Sequence, residues 1–580
     1  MASEVKAPWL NNYGDVPKTL NYYNGTMWEM VEEAANSSPT HIAYDFMGKS
    51  TTYGKFKADV HACAKALRAA GVKPNDRVTV CMPNCPQAVV MFYAINLMGA
   101  VSNMVHPLSS ENEIEFYLNM SKSVCALTLD QFYSKFEAIR KNVPTLKTLV
   151  IASIRDELKP LLKLGYSLTE GRKIPKLPKD GKYITWNKFI AAGKTYGGGY
   201  VCHKDKNELA AILYSGGTTG TTKGIMLSNY NFNALAAQVL AANPIVKRGD
   251  KVLSVMPIFH GFGLGVSIHT FLSYSGRCVL VPRFTPKTFA QDILKNRVNI
   301  IAGVPTLYEA LLRQPSMEGA DLSCLKGVFS GGDTLTPELK KRFDKFLKDH
   351  GAPIVVREGY GTTECVTASC LTPLHLYKEG SIGQPFADTY YKIVEVGTNI
   401  EVPYGQEGEI CISGPTVMLG YLDNPEETAN TLRIHGDGRT WLHTGDLGVM
   451  DEDGFIYFKQ RIKRMIITSG YNVYPSQLDN VLEGCEAVHM ACVIGVPDPY
   501  KMQKIKAFVV PRAGYQPDDN TRELIKAYCK KNIARYAMPY EIEFRESLPT
   551  TLVGKVAYRV LEEEEEAKRE AEKAAEPATV

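Results

Sequence analysis

The stretch SGGTTGTTKG (residues 215–224) is built of one serine, glycines, threonines and a single lysine, with almost nothing to bury. It follows the apolar run LAAILY (209–214) and precedes IML (225–227), so it reads as a loop between two strands. A Walker-type phosphate loop needs GxxxxGK followed by Ser or Thr at the start of a helix. Here Lys223 is followed by Gly224 and a strand-like segment. The helix signal comes later, with Ser228 or Asn229 as cap and FNALAAQVLAA (232–242) as body. Glycine N–H groups, hydroxyls and a cation supply phosphate-cradling chemistry on a strand–loop–strand frame. A bare turn would not need four threonines and a lysine.

Outward from this loop, apolar strand-like runs alternate with helix-like ones. RVTVCMP (77–83) precedes PQAVVMFYAINLMGA (86–100), and VCALTLD (124–130), TLVIAS (148–153), KVLSVMP (251–257) and NIIAGVP (299–305) repeat the theme. Such alternation predicts an α/β architecture, with large sheets flanked by helices. From about residue 380 the texture shifts to short strands and turns, predicting a small β-rich subdomain. Beyond Arg461 comes a compact α+β pattern. The expected division is therefore a large N-terminal domain over residues 1–461 and a small, mobile C-terminal domain over 462–580. The tail EEEEEAKREAEKAAEPATV (562–580) reads as a solvated helix or a disordered end without a catalytic role.

At 580 residues the chain exceeds one compact core. A net charge of +4 with no concentrated Lys/Arg stripe gives no electrostatic case for nucleic acid. Thirteen cysteines occur without a CxxC pair, which suits buried free thiols in a reducing compartment rather than zinc knuckles or disulfides. The N-terminus lacks the apolar core of a signal peptide, and the expected location is cytoplasmic. Residues 252–272 carry no formal charge over a spanning length. They also carry Pro257, three glycines and two histidines, and so read as a buried core element rather than a transmembrane segment.

Other stretches carry the parts of a nucleotide site. Tyr360-Gly361-Thr362-Thr363-Glu364 offers an aromatic face, hydroxyls and a carboxylate in five residues. Thr444-Gly445-Asp446 places a carboxylate after a short apolar strand, where it can accept from both hydroxyls of a ribose. Alone, either is explained as well by a turn. GFIYFKQRIKRMIITSGYNVYP (454–475) and LPTTLVGKV (548–556) complete an ordered set.

That set resembles the adenylate-forming superfamily of acyl-CoA synthetases, luciferases and nonribosomal adenylation domains, from about Thr51 to about Leu561. The resemblance implies a two-step reaction. A carboxylate attacks the α-phosphate of ATP, giving acyl-AMP and pyrophosphate; a thiol, usually that of coenzyme A, then takes the acyl group and releases AMP. Carried over by position, Ser215, Gly216, Gly217, Thr218, Thr219, Gly220, Thr222 and Lys223 match the phosphate loop. Gly331, Gly332 and Asp333 match the adenine-side loop; Tyr360 would lie against adenine and Thr363 meet the α-phosphate, with Gly361 and Thr362 as further nucleotide-binding positions. Glu364 would hold Mg²⁺. Asp446 and Arg461 match the ribose residues, Lys463 the hinge, Ser469, Gly470 and Tyr471 the pantetheine path, and Lys555 the essential C-terminal lysine. Lys555, Thr218, Lys223, Glu364 and His260 are the catalytic candidates. A lone ammonium bridging carboxylate and α-phosphate would neutralise the charge that develops in transfer.

Three departures touch the hinge and adenine loop: Gln460 stands for the usual glycine, Arg464 for an acidic residue and Asp333 for a small one. The acyl pocket is expected from His260, Phe262, Gly263, Gly265 and Val266, an apolar wall whose glycines leave room for a chain. No Asp or Lys is visible to match an amino-acid substrate. The expected reaction is ATP-dependent CoA ligation of a medium- or long-chain fatty acid. An aryl or bile-type acid, or loading of a carrier protein, is the alternative; no carrier domain follows Lys555. The expected partners are the acid, ATP and CoA, with oligomeric state open and a homodimer among the options.

Overall fold

The computed structural model describes residues 5–179, 181–215, 222–468, 471–498, 500–551 and 555–575. At Ser215, Lys463 and Tyr471 it describes the backbone alone. Among the described residues, the strands form four sheets. The first has Cys125–Leu129, Arg77–Cys81 and Val101–Met104 at its parallel centre, and Leu209–Ser215 extends it. Leu209–Ser215 pairs antiparallel with Lys223–Ser228, with Ser215 opposite Lys223, so the phosphate-loop candidate joins the two arms of a hairpin. Ser228 then caps the helix Asn229–Ala241, its hydroxyl accepting from the Asn231 N–H at 3.2 Å.

The second sheet runs parallel through Ile42–Phe46, Arg277–Leu280, Lys251–Ser254, Ile300–Gly303, Gly327–Ser330 and Val356–Tyr360. Continuous runs such as IIAG fit strands covered on both faces, as the all-buried pattern of Ile300–Gly303 shows. Every residue of the helix Pro86–Leu97 is buried, which is what a helix apolar all round requires. One apolar cluster, from Trp9 to Ile456, joins this helix to both large sheets. No helix among the described residues is long and apolar enough to cross a membrane.

A third sheet carries Tyr390–Val394, Glu407–Ser413, Thr440–Met450, Leu432–Ile434 and Ile456–Arg461. The fourth begins at Ile466–Thr468 and holds the long hairpin Val488–Asp498 with Met502–Pro511. The change of sheet falls in the turn Ile462–Arg464, and the fourth sheet has a core of its own. The acidic tail forms the helix Tyr558–Ala575. It is docked rather than freely solvated: Leu561 is buried in a small apolar cluster, and Glu565 pairs with the buried Lys506 at 2.8 Å. All thirteen cysteines are free; Cys202 and Cys324 are partly exposed and the rest are buried.

Candidate active site

Parallel strands end with their C-terminal ends at one crevice, where α/β folds bind ligands. Gly331, Gly332 and Asp333 follow Gly327–Ser330, and Tyr360 ends Val356–Tyr360. Gly361 is forced by a close approach, since a Cβ there would lie 2.4 Å from the Thr367 carbonyl oxygen. Val366 and Thr367 hold positive φ (56° and 98°) to fold that segment back, a local strain typical of binding loops. Thr362 is buried, and Thr363 opens the short turn Thr363–Cys365 that carries Glu364.

Asp446 sits within Thr440–Met450 rather than after a strand, just beyond Gly445, whose φ of 70° kinks the chain. It lies opposite Arg461 in the antiparallel register, and the Arg461 Nε is 2.9 Å from its carboxylate. The Tyr360 hydroxyl donates to the same carboxylate, which is fully buried. Burial pushes the Asp446 carboxyl up, while Arg461, Tyr360 and Lys555 pull it back. Glu364 accepts from the Tyr421 hydroxyl at 2.9 Å. Lys223 pairs with Glu427 and stands 4.8 Å from the centre of the Tyr421 ring. Lys223 and Glu364 thus share one aromatic neighbour. Thr222 lies against the Tyr117 phenol. Gly216, Gly217, Thr218, Thr219, Gly220, Ser469 and Gly470 lie outside the described residues.

The small domain closes over this crevice. The Arg313 guanidinium reaches His489 Nδ1 at 2.8 Å, and Tyr474 donates to Glu407. Arg464, beside the expected hinge position, is anchored by Asp479 at 3.0 Å and by the Tyr558 ring at 4.6 Å. Lys555 is held by two bonds to Thr551: its N–H donates to the hydroxyl at 3.1 Å and its carbonyl accepts from the Thr551 N–H at 2.6 Å. Its Nζ approaches Gly332, within 3.9 Å of where a Cβ would stand. Desolvation holds the Lys555 ammonium below its ordinary value and Arg461 adds to the shift, while Asp333 and Asp446 oppose it. His260 faces the same ammonium. Desolvation first, then Lys555, lowers its pKa to about 3.

Below Gly331 and Gly332 opens a narrow, largely apolar cavity. Phe262, Val266, Thr270 and Phe271, from one helical run, line it together with Ile300 and Val246. Of the expected pocket residues, Phe262 and Val266 line this space, whereas His260, Gly263 and Gly265 do not. A Cβ on Gly263 would lie 2.1 Å from the Pro257 carbonyl oxygen, and one on Gly265 would meet Leu235 at 2.9 Å. These glycines admit backbone and side-chain packing behind the wall, where the run Phe262–His269 is wound as a π-helix. Sequence reasoning also missed Asn243, which lines the cavity and accepts from the buried Arg357. Arg357 further donates to the Thr372 carbonyl at 2.7 Å, and burial lowers its pKa to about 10. A lone arginine ahead of YGTTE carries no signal of that contact.

Residues 31–422 match the family described as AMP-binding enzyme, and residues 477–555 match the AMP-binding enzyme C-terminal domain. The chain is 36% identical over 571 residues to a long-chain-fatty-acid–CoA ligase of Bacillus subtilis (strain 168), covering 97% of this chain and 99% of the relative. It is 32% identical over 575 residues to the enzyme of that name from Salmonella typhimurium, covering 97% and 98%. Two solved structures share the fold. The anthranilate CoA ligase AuaEII in complex with anthranoyl-AMP superposes with a TM-score of 0.81 at 23% identity, covering 95% of this chain and 98% of that one. ATP-bound MatB from Rhodopseudomonas palustris gives 0.80 at 24% identity, covering 93% and 99%. By motif order, fold and near-full-length similarity, this chain is a member of the AMP-binding enzyme family.

Proposed function

We propose that the protein is an ATP-dependent fatty acid–CoA ligase for long-chain acids, acting through acyl-AMP. The observation that carries this reading is the apolar cavity whose mouth, at Gly331 and Gly332, lies under the Lys555 ammonium. A methylene tail in that cavity leaves its carboxylate at the lysine. Asp446, fixed by Arg461 and Tyr360, is the acceptor for the ribose hydroxyls. The acid's carboxylate oxygen attacks the α-phosphorus and the α–β bridging bond breaks, releasing pyrophosphate. The thiol sulfur of CoA then attacks the acyl carbonyl carbon and AMP leaves.

Glu364 fits a Mg²⁺ role: Tyr421 occupies one carboxylate oxygen, and a single carboxylate plus phosphate oxygens is a common magnesium environment. Bound there, the ion would neutralise charge on the departing phosphates. Lys223 and the Thr218–Thr219 segment are assigned to the same phosphates, and residues 469–471 to the pantetheine path.

The test is mass-spectrometric detection of acyl-CoA and AMP from a pool of short, medium and long fatty acids, aryl acids and a bile acid, with ATP, Mg²⁺ and CoA. Long-chain thioesters with AMP are expected. Pyrophosphate without any thioester would exclude CoA as acceptor, and thioester from aryl acids alone would overturn the chain-length reading.

His260 is assigned to the pocket mouth as a neutral imidazole. With a pKa near 3, its protonated fraction is negligible throughout the working range, so it carries no charge to the carboxylate. His260→Gln is therefore expected to leave the acid limb of the kcat/KM profile in place while changing its height. A limb near pH 6.5 that vanishes in the variant would contradict this.

A further inference from the structure

The third sheet holds a second cluster of chemistry-bearing side chains, on the face opposite the one that joins the main core. Cys411 on Glu407–Ser413 lies directly opposite His443 on Thr440–Met450 in the antiparallel register. The turn after Leu432–Ile434 brings His435 over them, its ring 5.6 Å from that of Trp441. All three side chains are buried, and one ligand atom from each lies within 4.8 Å of the others. The two imidazole Nε2 atoms are 3.0 Å apart.

Two features make this more than an ordinary packed pair of histidines. His443 Nδ1 is held at 2.9 Å by Glu409, whose other carboxylate oxygen accepts from the Gly445 N–H at 2.9 Å. With Nδ1–H donated to a fixed carboxylate, the Nε2 lone pair of His443 points at His435. Metal-binding histidines are oriented by that same carboxylate contact. The charges also come close to balance: a divalent cation, a Cys411 thiolate and the Glu409 carboxylate sum to zero beside the Lys392–Asp437 pair, with Arg433 adding one positive charge nearby.

We propose that Cys411, His435 and His443 form a Zn²⁺ site. Two imidazole nitrogens and one thiolate are a zinc-type donor set, and three protein ligands leave one tetrahedral position to water. On binding, the Cys411 thiol proton leaves to solvent and the sulfur becomes the ligand. The site ties together three strands of the sheet that carries Asp446, three residues beyond His443, so its role is to brace that sheet rather than to join the reaction. The inference stands independently of the ligase reading.

The test uses the full chain, stripped with chelator, dialysed and titrated with Co²⁺ as a spectroscopic probe and then with Zn²⁺. Expected are a thiolate-to-cobalt charge-transfer band, displacement of Co²⁺ by Zn²⁺, and a higher Tm in the zinc-loaded protein. Cys411→Ser, a near-isosteric change, should abolish the charge-transfer band, and His435→Ala should abolish tight uptake, both with wild-type circular dichroism. No uptake by the wild-type chain would overturn the proposal. So would uptake without a thiolate band, or a band that persists in Cys411→Ser.

Discussion

Lys555→Ala is expected to reduce acyl-AMP formation by about 10²–10³ or more, the loss that follows removal of one preorganised charge stabiliser. Preformed acyl-AMP should still react with CoA at a rate much closer to wild type. The lysine stands between the cavity mouth at Gly332 and the buried Asp446, and Asp333 and Asp446 both act on its ammonium. An anion entering from the cavity and an α-phosphate held beside Asp446 would meet at that charge. Because the ammonium is partly desolvated, its field is less screened than that of a surface lysine. The loop carrying it is pinned by Thr551 and by the bridge between Thr550 and Val556, so truncating the side chain leaves its backbone anchors in place. Pyrophosphate exchange and the thioester half-reaction, measured separately on folded variant, decide the matter. Equal loss of both would remove Lys555 from the adenylation step. Lys555→Arg is expected to restore little, since a planar fork does not reproduce a compact point charge.

Val246→Phe is expected to convert a long-chain preference into a medium-chain one. Val246 lines the cavity, just beyond the helix Asn229–Ala241, and is almost fully buried. A phenyl group there fills space that the last methylenes of a long tail would occupy. At about 0.8 kcal/mol per buried methylene, displacing four costs about 3 kcal/mol, or roughly two orders of magnitude in kcat/KM for the long acid. Shorter acids fill less of the cavity and should be turned over nearly as before. The ratio of palmitate to octanoate activity reads the effect. A variant that loses both equally would place the tail elsewhere.

The family pattern was legible because it rests on local order. SGGTTGTTKG between apolar runs gave the hairpin frame, Ser228 the helix cap, and the alternation of periodicities the two large sheets. Asp446 and Arg461 were both visible, fifteen residues apart, but their ion pair exists only because the antiparallel register sets them face to face. The acyl cavity was the poorest reading, since its wall comes from positions scattered between Val239 and Phe386. Glycines at 263 and 265 suggested open space because glycine signals a close approach without saying which side approaches. The Cys411, His435 and His443 cluster follows no metal spacing for the same reason: its members meet through strand pairing rather than along one motif.

The buried thiols give the protein an internal clock for its own unfolding. In the native state, a soluble alkylating reagent has ready access to Cys202 and Cys324 alone among thirteen cysteines. The others stay shielded until the chain around them opens, and burial also raises the pKa of thiols such as Cys125 and Cys278 to about 12, suppressing the reactive thiolate. Cys485, Cys492 and Cys529 lie in the small domain, whereas Cys63, Cys85 and Cys125 lie in the large one. The order in which labelled peptides appear during slow denaturant exposure therefore reports which half of the molecule lets go first. No engineered probe is needed to read it.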